Sequence, residues 1–374
     1  MHILIAPNAF KNSLSAAAAS SAILQGLQQS RLGFTGECFP VGDGGDNTGD
    51  LLIQRLHGRR LPAEARDPLG RKITAHFGIV GSETAIIDMS TASGLRLLDQ
   101  KKLDPLHATS AGTGDLIRVA LDHRVSHILL GVGGSATVDG GMGILTALGI
   151  RFRDDAAREL TTPESLTGLD SIDVSGLDPR LKDTRLTILC DVETPPLGPT
   201  GSAAVFGPQK GASPEDVVLL ESVLQRLCAI IRQSTGRDIS QLPFGGAAGA
   251  AAAGLYGLLG ARLVKGIDYF LQLTDFDAAL GRSDLVVTGE GAIDEQTLQG
   301  KAPYGVAIRA KKRGLSVIAF TGRVPDDPAP LHPYFDEIIP INPPLMSLPE
   351  ALASAAANLE ATARILGSRL ATTQ

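Results

Sequence analysis

The chain has 374 residues, 43% hydrophobic and only 4% aromatic, with no Trp, 43 glycines and a formal net charge of −6. That length buries one large core or two. The acidic balance and the shortage of aromatic rings argue against a nucleic-acid backbone or a single-stranded stacking surface as the main partner.

Residues 3–6 read as a strand. Residues 13–29 are Ala-rich and read as a helix, with Ser13 or Ser15 as N-cap. A second strand is expected over 38–41, running into Gly42-Asp43-Gly44-Gly45-Asp46. Residues 73–80 and 84–89 form a β-pair around the turn Gly81-Ser82-Glu83. The stretch from about 59 to 87 is hairpin-like, carries Pro68-Leu69-Gly70, and is assigned to a second domain. Residues 113–123 read as a helix and 127–130 as a strand, followed by the loop 131–141. Further strands are expected at 186–190, 285–288, 317–320 and 337–341, an amphipathic helix at 214–235, and a long helix at 348–370. The Ala-rich run 247–253 reads as a core helix. Alternating strands and helices make this an α/β protein with a mostly parallel sheet in at least one part.

The three cysteines, Cys38, Cys190 and Cys228, match no metal or redox spacing and read as reduced, buried thiols. The N-terminal MHILIAPNAFK enters an apolar run directly, without the features of a signal peptide. No apolar stretch reaches the roughly 18–20 residues of a membrane span. A cytoplasmic protein is expected.

In open α/β sheets, ligands gather beyond the carboxyl ends of the strands. Those ends carry Asn8, Lys11 and Ser13; Asp43 and Asp46; residues 133–139; Asp191 and Glu193; Glu290 and Asp294; and Thr321 with Arg323. In the loop after residue 130, Gly133 and Gly134 let the backbone turn sharply and bring N–H groups to an anion, and Ser135 and Thr137 add hydroxyl donors. Acids at strand ends suit Mg²⁺, and lysines beside glycine loops suit a transferring phosphoryl group. Standard signatures are missing. Gly300-Lys301 is followed by Ala302, and Glu295 stands where a Walker A motif needs its first glycine. No GxGxxG follows the first strand, and no Gly-x-Ser-x-Gly elbow surrounds Ser135.

Taken singly, each residue has a structural reading. Gly133, Gly134 and Asp43 suit turns, Lys11 a solvated loop, and Asp191 a turn cap. Glu290, between Gly289 and Gly291, has no packing reason to be Glu. The seven histidines are scattered and read as surface or core residues. The joint occurrence of these groups at strand ends favours a site.

Ala6-Pro7-Asn8-Ala9-Phe10-Lys11-Asn12-Ser13-Leu14 resembles the opening of the bacterial glycerate kinase family, type I. So do Asp43-Gly44-Gly45, Ala92-Ser93-Gly94-Leu95, Thr109-Ser110-Ala111-Gly112-Thr113-Gly114 and the loop 131–141. Later blocks follow in order: Cys190-Asp191-Val192, Gly198-Pro199-Thr200-Gly201, Phe206-Gly207-Pro208-Gln209-Lys210-Gly211, Gly266-Ile267-Asp268, Thr288-Gly289-Glu290-Gly291, Asp294, Gln296-Thr297 and Gly300-Lys301-Ala302-Pro303. The chain departs from the family at Asn8-Ala9, Asn12, Asp46-Asn47-Thr48 and Val138.

The resemblance implies ATP- and Mg²⁺-dependent phosphorylation of D-glycerate, usually at the 2-hydroxyl, giving 2-phosphoglycerate. It implies two domains: a Rossmann-like parallel-sheet domain, about 1–60 plus 240–374, with a second α/β domain, about 61–239, inserted, and an active site in the interdomain cleft. On this basis the loops 131–141 and 288–291 (Gly133, Gly134, Ser135, Thr137, Gly289 and Gly291) are expected to hold ATP phosphates. Glu290 and Asp294 are expected near Mg²⁺. Asp191 is the expected general base, with Asp43 its rival for that role or a metal role. Lys11 and Lys301 would neutralise developing charge. A monomer or homodimer with no nucleic-acid or membrane partner is expected. Competing readings are a kinase for another small hydroxy acid, a 3-phosphoglycerate-forming kinase, a phosphatase on the same scaffold, and a non-catalytic metabolite-binding regulator.

Overall fold

The fold comes from a computed structural model, which describes residues 1–294, 297–298, 300–325 and 327–372. Gln296 of the family-like blocks lies outside the described residues. The chain divides into two compact units, Met1–Asp43 with Ile267–Gln374, and Gly44–Gly266. The inserted unit runs further in both directions than 61–239.

The first unit begins with β1 (His2–Pro7), whose Ile3, Leu4, Ile5 and Ala6 are fully buried. α1 (Ala16–Gln28) follows, and its N-cap is Ser15, whose Oγ accepts the Ala18 N–H at 3.1 Å. β2 is Thr35–Cys38, earlier than the expected 38–41. The displacement follows from pairing: β2 starts opposite His2, and the Phe39 and Val41 N–H groups still donate to Ile5 and Pro7 along β1. The apolar residues thus lie in the extended chain just past the strand.

The inserted unit opens with α2 (Thr48–Arg55), β3 (Arg59–Arg66), β4 (Lys72–Val80), β5 (Thr84–Asp88), α3 (Ser90–Ser93), α4 (Ala111–Asp122) and β6 (His127–Gly131). It continues with α5 (Met142–Ala147), β7 (Arg151–Arg153), β8 (Ser171–Asp173), β9 (Arg185–Cys190), α6 (Ser202–Phe206), α7 (Pro214–Thr235), α8 (Ala251–Leu259) and β10 (Arg262–Lys265). Its main sheet runs β10-β9-β6-β5-β4-β3. β5, β6, β9 and β10 are parallel, and β3 and β4 extend the sheet antiparallel. The β4–β5 pair is the expected hairpin. α2 packs on β4 and β5, and β10 pairs with β9, so the segments flanking 61–239 belong to this unit. The expected helix at 247–253 starts only at Ala251. Ahead of it Ala248, Gly249 and Ala250 all take positive φ (56°, 69° and 64°), forming a tight turn.

The first unit resumes with α9 (Gly266–Leu273), α10 (Phe276–Leu280), β11 (Leu285–Glu290), α11 (Ala302–Lys312), β12 (Ser316–Thr321), β13 (Glu337–Pro340) and α12 (Leu348–Ala371). A capping box between Ser347 and Glu350 starts α12. The sheet order is β13-β12-β11-β1-β2, all parallel. The order reverses between β1 and β11, which makes their carboxyl ends a topological switch point, where doubly wound sheets bind ligands.

α1 and α12 pack so closely that a Cβ on Gly26 would stand 2.1 Å from the Glu360 carbonyl oxygen. Glycine-to-alanine changes inside helices ordinarily stabilise. Here the sign reverses: Gly26→Ala is expected to lower stability by about 1–3 kcal/mol, read as a lower Tm. An unchanged or raised Tm would contradict this packing.

Candidate active site

At the switch point, β1 runs out into Asn8, whose N–H donates to the Gly289 carbonyl at 2.8 Å. The Asn8 Nδ2 donates to Asp43 Oδ2 at 3.0 Å, joining the ends of the first and second strands through a buried carboxylate. Lys11 is exposed on the loop that follows, anchored by buried Phe10 pairing with Leu14. Glu290 closes β11 and is 7% exposed. Its Oε1 accepts from Thr297 Oγ1 at 3.0 Å. Burial pushes the Glu290 carboxyl up to about 8; the Asp43 and Asp294 charges act in the same direction, and Lys301 opposes them. Lys301 is half-buried at the N-cap of α11, with its Nζ 3.8 Å from Asp294 Oδ1. The first unit therefore brings Asn8, Asp43, Glu290, Asp294 and Lys301 together.

Gly289 and Gly291 differ. A Cβ on Gly289 would stand 2.2 Å from the Phe320 carbonyl oxygen of the neighbouring strand, so packing alone requires glycine there. At Gly291 the nearest atom would be the Lys11 nitrogen at 3.4 Å, an ordinary contact. Among the described residues, no group of three or more His, Cys, Asp or Glu side chains is arranged to hold a metal.

In the inserted unit the loop after β6 is held from several sides. The Gly133 N–H donates to the Gly44 carbonyl at 3.0 Å, Ala136 N–H to Ser93, and Gly140 N–H to Gly249. Gly134 has φ 66° and lies against the Asp46 carboxylate. Many of the loop's amides are thus committed to the fold. Asp139 is 1% exposed. Its Oδ2 accepts from Ser110 N–H (3.0 Å), Ser110 Oγ (2.6 Å) and Gly143 N–H (3.1 Å), and its Oδ1 from Gly141 N–H (3.0 Å). Val138 packs with Ala203, Leu220, Leu224 and Ala250 in a small apolar cluster, which accounts for an apolar residue there. Ser135 is buried, and the fully buried Thr137 Oγ1 has no hydrogen-bond partner among the described residues.

Asp191 follows β9 and is half-buried, while Glu193 pairs with Lys265 at 3.2 Å. Burial, with the Asp191 charge adding to it, pushes the Cys190 thiol well above its ordinary range, and burial pushes Cys228 up to about 12. All three cysteines are free, and Cys190 and Cys228 are buried.

Two groups here receive no role in the sequence reading. Lys210 is 3% exposed, and its Nζ donates to Ser135 Oγ at 2.8 Å and to the Thr137 carbonyl at 2.7 Å. In the sequence it stands between Gly207 and Gly211 in the family-like block 206–211, with nothing to mark it as buried. Asp88, at the end of β5, accepts the Gly49 N–H at 2.9 Å; burial pushes its carboxyl up to about 7. No sequence pattern marks it, because its partner is a backbone amide far along the chain.

Over residues 3–371 the chain matches the family model described as the glycerate kinase family. It is 40% identical to a protein named glycerate kinase from Bacillus subtilis (strain 168), covering 99% of this chain and 98% of that one. It is 39% identical to glycerate 2-kinase from Escherichia coli (strain K12), with the same coverage. A crystal structure of a candidate glycerate kinase 2 from Salmonella typhimurium LT2 matches with a TM-score of 0.83 at 40% identity, covering 100% of this chain and 99% of that one.

The Glu290 carboxyl sets a pH dependence. Below its ordinary 4.5 it is neutral in both states; from there to about 8 the folded chain keeps a proton that the unfolded chain has released. Its contribution to stability is therefore lost as pH rises through that window. In chelator-treated protein, the Tm of Glu290→Gln is expected to exceed that of the wild type by a margin that widens from about pH 5 to about pH 9. A margin that stays constant would count against a raised carboxyl.

Proposed function

The chain belongs to the glycerate kinase family, a family of phosphotransferases, and we propose that it transfers the terminal phosphoryl group of ATP to the 2-hydroxyl of D-glycerate, giving 2-phosphoglycerate and ADP. The observation that carries the site assignment is the buried Glu290, set at the switch point of a parallel sheet beside Asp43, Asp294 and Lys301. The name of the Escherichia coli relative supports the 2-position.

Phosphoryl transfer needs positioning and charge neutralisation more than covalent chemistry. We assign Asp191 to accept the proton of the substrate hydroxyl. Asp43, already held by Asn8, orients its neighbours and is the rival for that proton. Lys11 and Lys301 neutralise negative charge that builds on the transferring group, each at about 2–4 kcal/mol. The loop residues Gly133, Gly134, Ser135 and Thr137, with Gly289 and Gly291, are assigned to ATP phosphates. Glu290 and Asp294 fit Mg²⁺, because this hard ion takes one or two carboxylates and completes its shell with phosphate oxygens and water. When bound, the ion supplies charge neutralisation at those oxygens. The Thr297 hydroxyl holds Glu290 in place for that contact.

In this reading the enzyme is cytoplasmic, a monomer or homodimer, and without a nucleic-acid or membrane partner. Its acidic balance suits no phosphate backbone, and among the described residues no helix is long and apolar enough to cross a membrane.

ATP consumption is expected to depend on D-glycerate. The product is expected to feed enolase directly, without added phosphoglycerate mutase; a strict need for the mutase would place the phosphoryl group at the 3-position instead. Asp191→Asn is expected to lower kcat by about 10²–10⁴-fold with little change in KM for ATP. Near-normal turnover in that variant removes Asp191 as the base.

A further inference from the structure

Lys210 is a buried cation to which the assignments above give no task. It ends the single turn Pro208–Lys210 between α6 and α7. Its N–H is bonded to the Gly207 carbonyl at 2.9 Å. Gly211 follows at φ 97°, and a Cβ there would stand 2.6 Å from that of Leu103, so the turn has little room to shift. Among the described residues its ammonium has two acceptors, Ser135 Oγ and the Thr137 carbonyl, and neither is charged. An ammonium brings three N–H donors. Burial pushes it down to about 7, and the Asp139 and Asp191 charges oppose that shift. For stability alone an apolar side chain of similar length would serve better than a charge with two neutral partners.

The partners point to a use. Ser135 Oγ accepts from the ammonium, so its own hydrogen is left to donate, and donation is strengthened when the same oxygen accepts from a cation. Two residues on, the Thr137 hydroxyl is fully buried and has no hydrogen-bond partner among the described residues. The carbonyl of that residue is fixed by Lys210 on one side and by close approach of Gly249, where a Cβ would come within 2.0 Å, on the other.

We propose that Lys210 is a positioning residue: through the Thr137 carbonyl and the Ser135 hydroxyl it sets these two hydroxyls as a donor pair for an anionic oxygen, phosphate or carboxylate. The inference rests on the glycerate kinase reading, whose two ligands, ATP and glycerate, carry one such group each.

The test is calorimetric titration of the full chain with ATP and, separately, with D-glycerate, for wild type, Lys210→Met, Ser135→Ala and the double variant, with Tm measured for each. Lys210→Met is expected to weaken one of the two ligands by at least ~10-fold and leave the other within ~2-fold. Ser135→Ala should weaken the same ligand, and the double variant should bind it within ~2-fold of Lys210→Met, because one residue acts through the other. Loss confined to ATP supports the inference and the nucleotide assignment of the loop. Loss confined to glycerate supports the inference and reassigns the loop to the substrate carboxylate. Wild-type affinity for both ligands in Lys210→Met, or fully additive losses in the double variant, overturns the inference. If Lys210→Met unfolds early, Ser135→Ala decides alone: unchanged affinity for both ligands overturns it. A wild-type protein that binds neither ligand overturns the kinase reading, and this inference with it.

Discussion

The Asp139 carboxylate lies where two helices of the inserted unit begin. It takes the Ser110 amide and hydroxyl at the start of α4 and the Gly141 and Gly143 amides at the start of α5. Helix starts carry unpaired N–H groups and a partial positive charge, so a buried anion is favourable beside both. Three of its four bonds fall on Oδ2 and one on Oδ1, so the carboxylate is tied to the backbone of both segments. The Ser110 hydroxyl extends the network by accepting the Ile144 N–H. The loop after β6 takes its path from this anchor, and Lys210 meets the loop a few residues upstream.

Glycines and alanines that look alike in the sequence do different work. Gly133 is excluded from having a Cβ by the backbone of Gly45, and Gly289 by the Phe320 carbonyl, whereas Gly134 adopts a left-handed conformation. The alanines at 248 and 250 adopt such conformations without being glycine, and this displaces the start of α8. Composition cannot separate these cases, because each depends on which chain segment lies opposite.

Much of the architecture is legible in the sequence because it rests on local patterns. The apolar runs of β1, β6, β9, β11 and β12 are near-continuous, as parallel strands covered on both faces must be. Ser15 and the capping box of α12 are local in the same way. β3 is harder to read: its inward positions are Ala63 and Ala65, it contains Pro62, and it is an edge strand. β2 carries few apolar residues, and those that suggest a strand come just after it. The acids at the strand ends are visible as residue types. The Asn8–Asp43 bond, the environment of Glu290 and the burial of Lys210 are long-range facts that no local pattern carries.

β1 pairs on one side with β2, close by in sequence, and on the other with β11, so that Ile3 lies opposite Leu285. Closing that pair spans the whole insertion, a long loop to close in entropy terms. During synthesis every residue of the inserted unit leaves the ribosome before β11 exists. Until then β1, apolar from Ile3 to Pro7, has one bare edge, the kind of edge that invites wrong partners. The unit that holds β1 is thus completed after the inserted one. The inserted unit, continuous in sequence, has its full set of strands first.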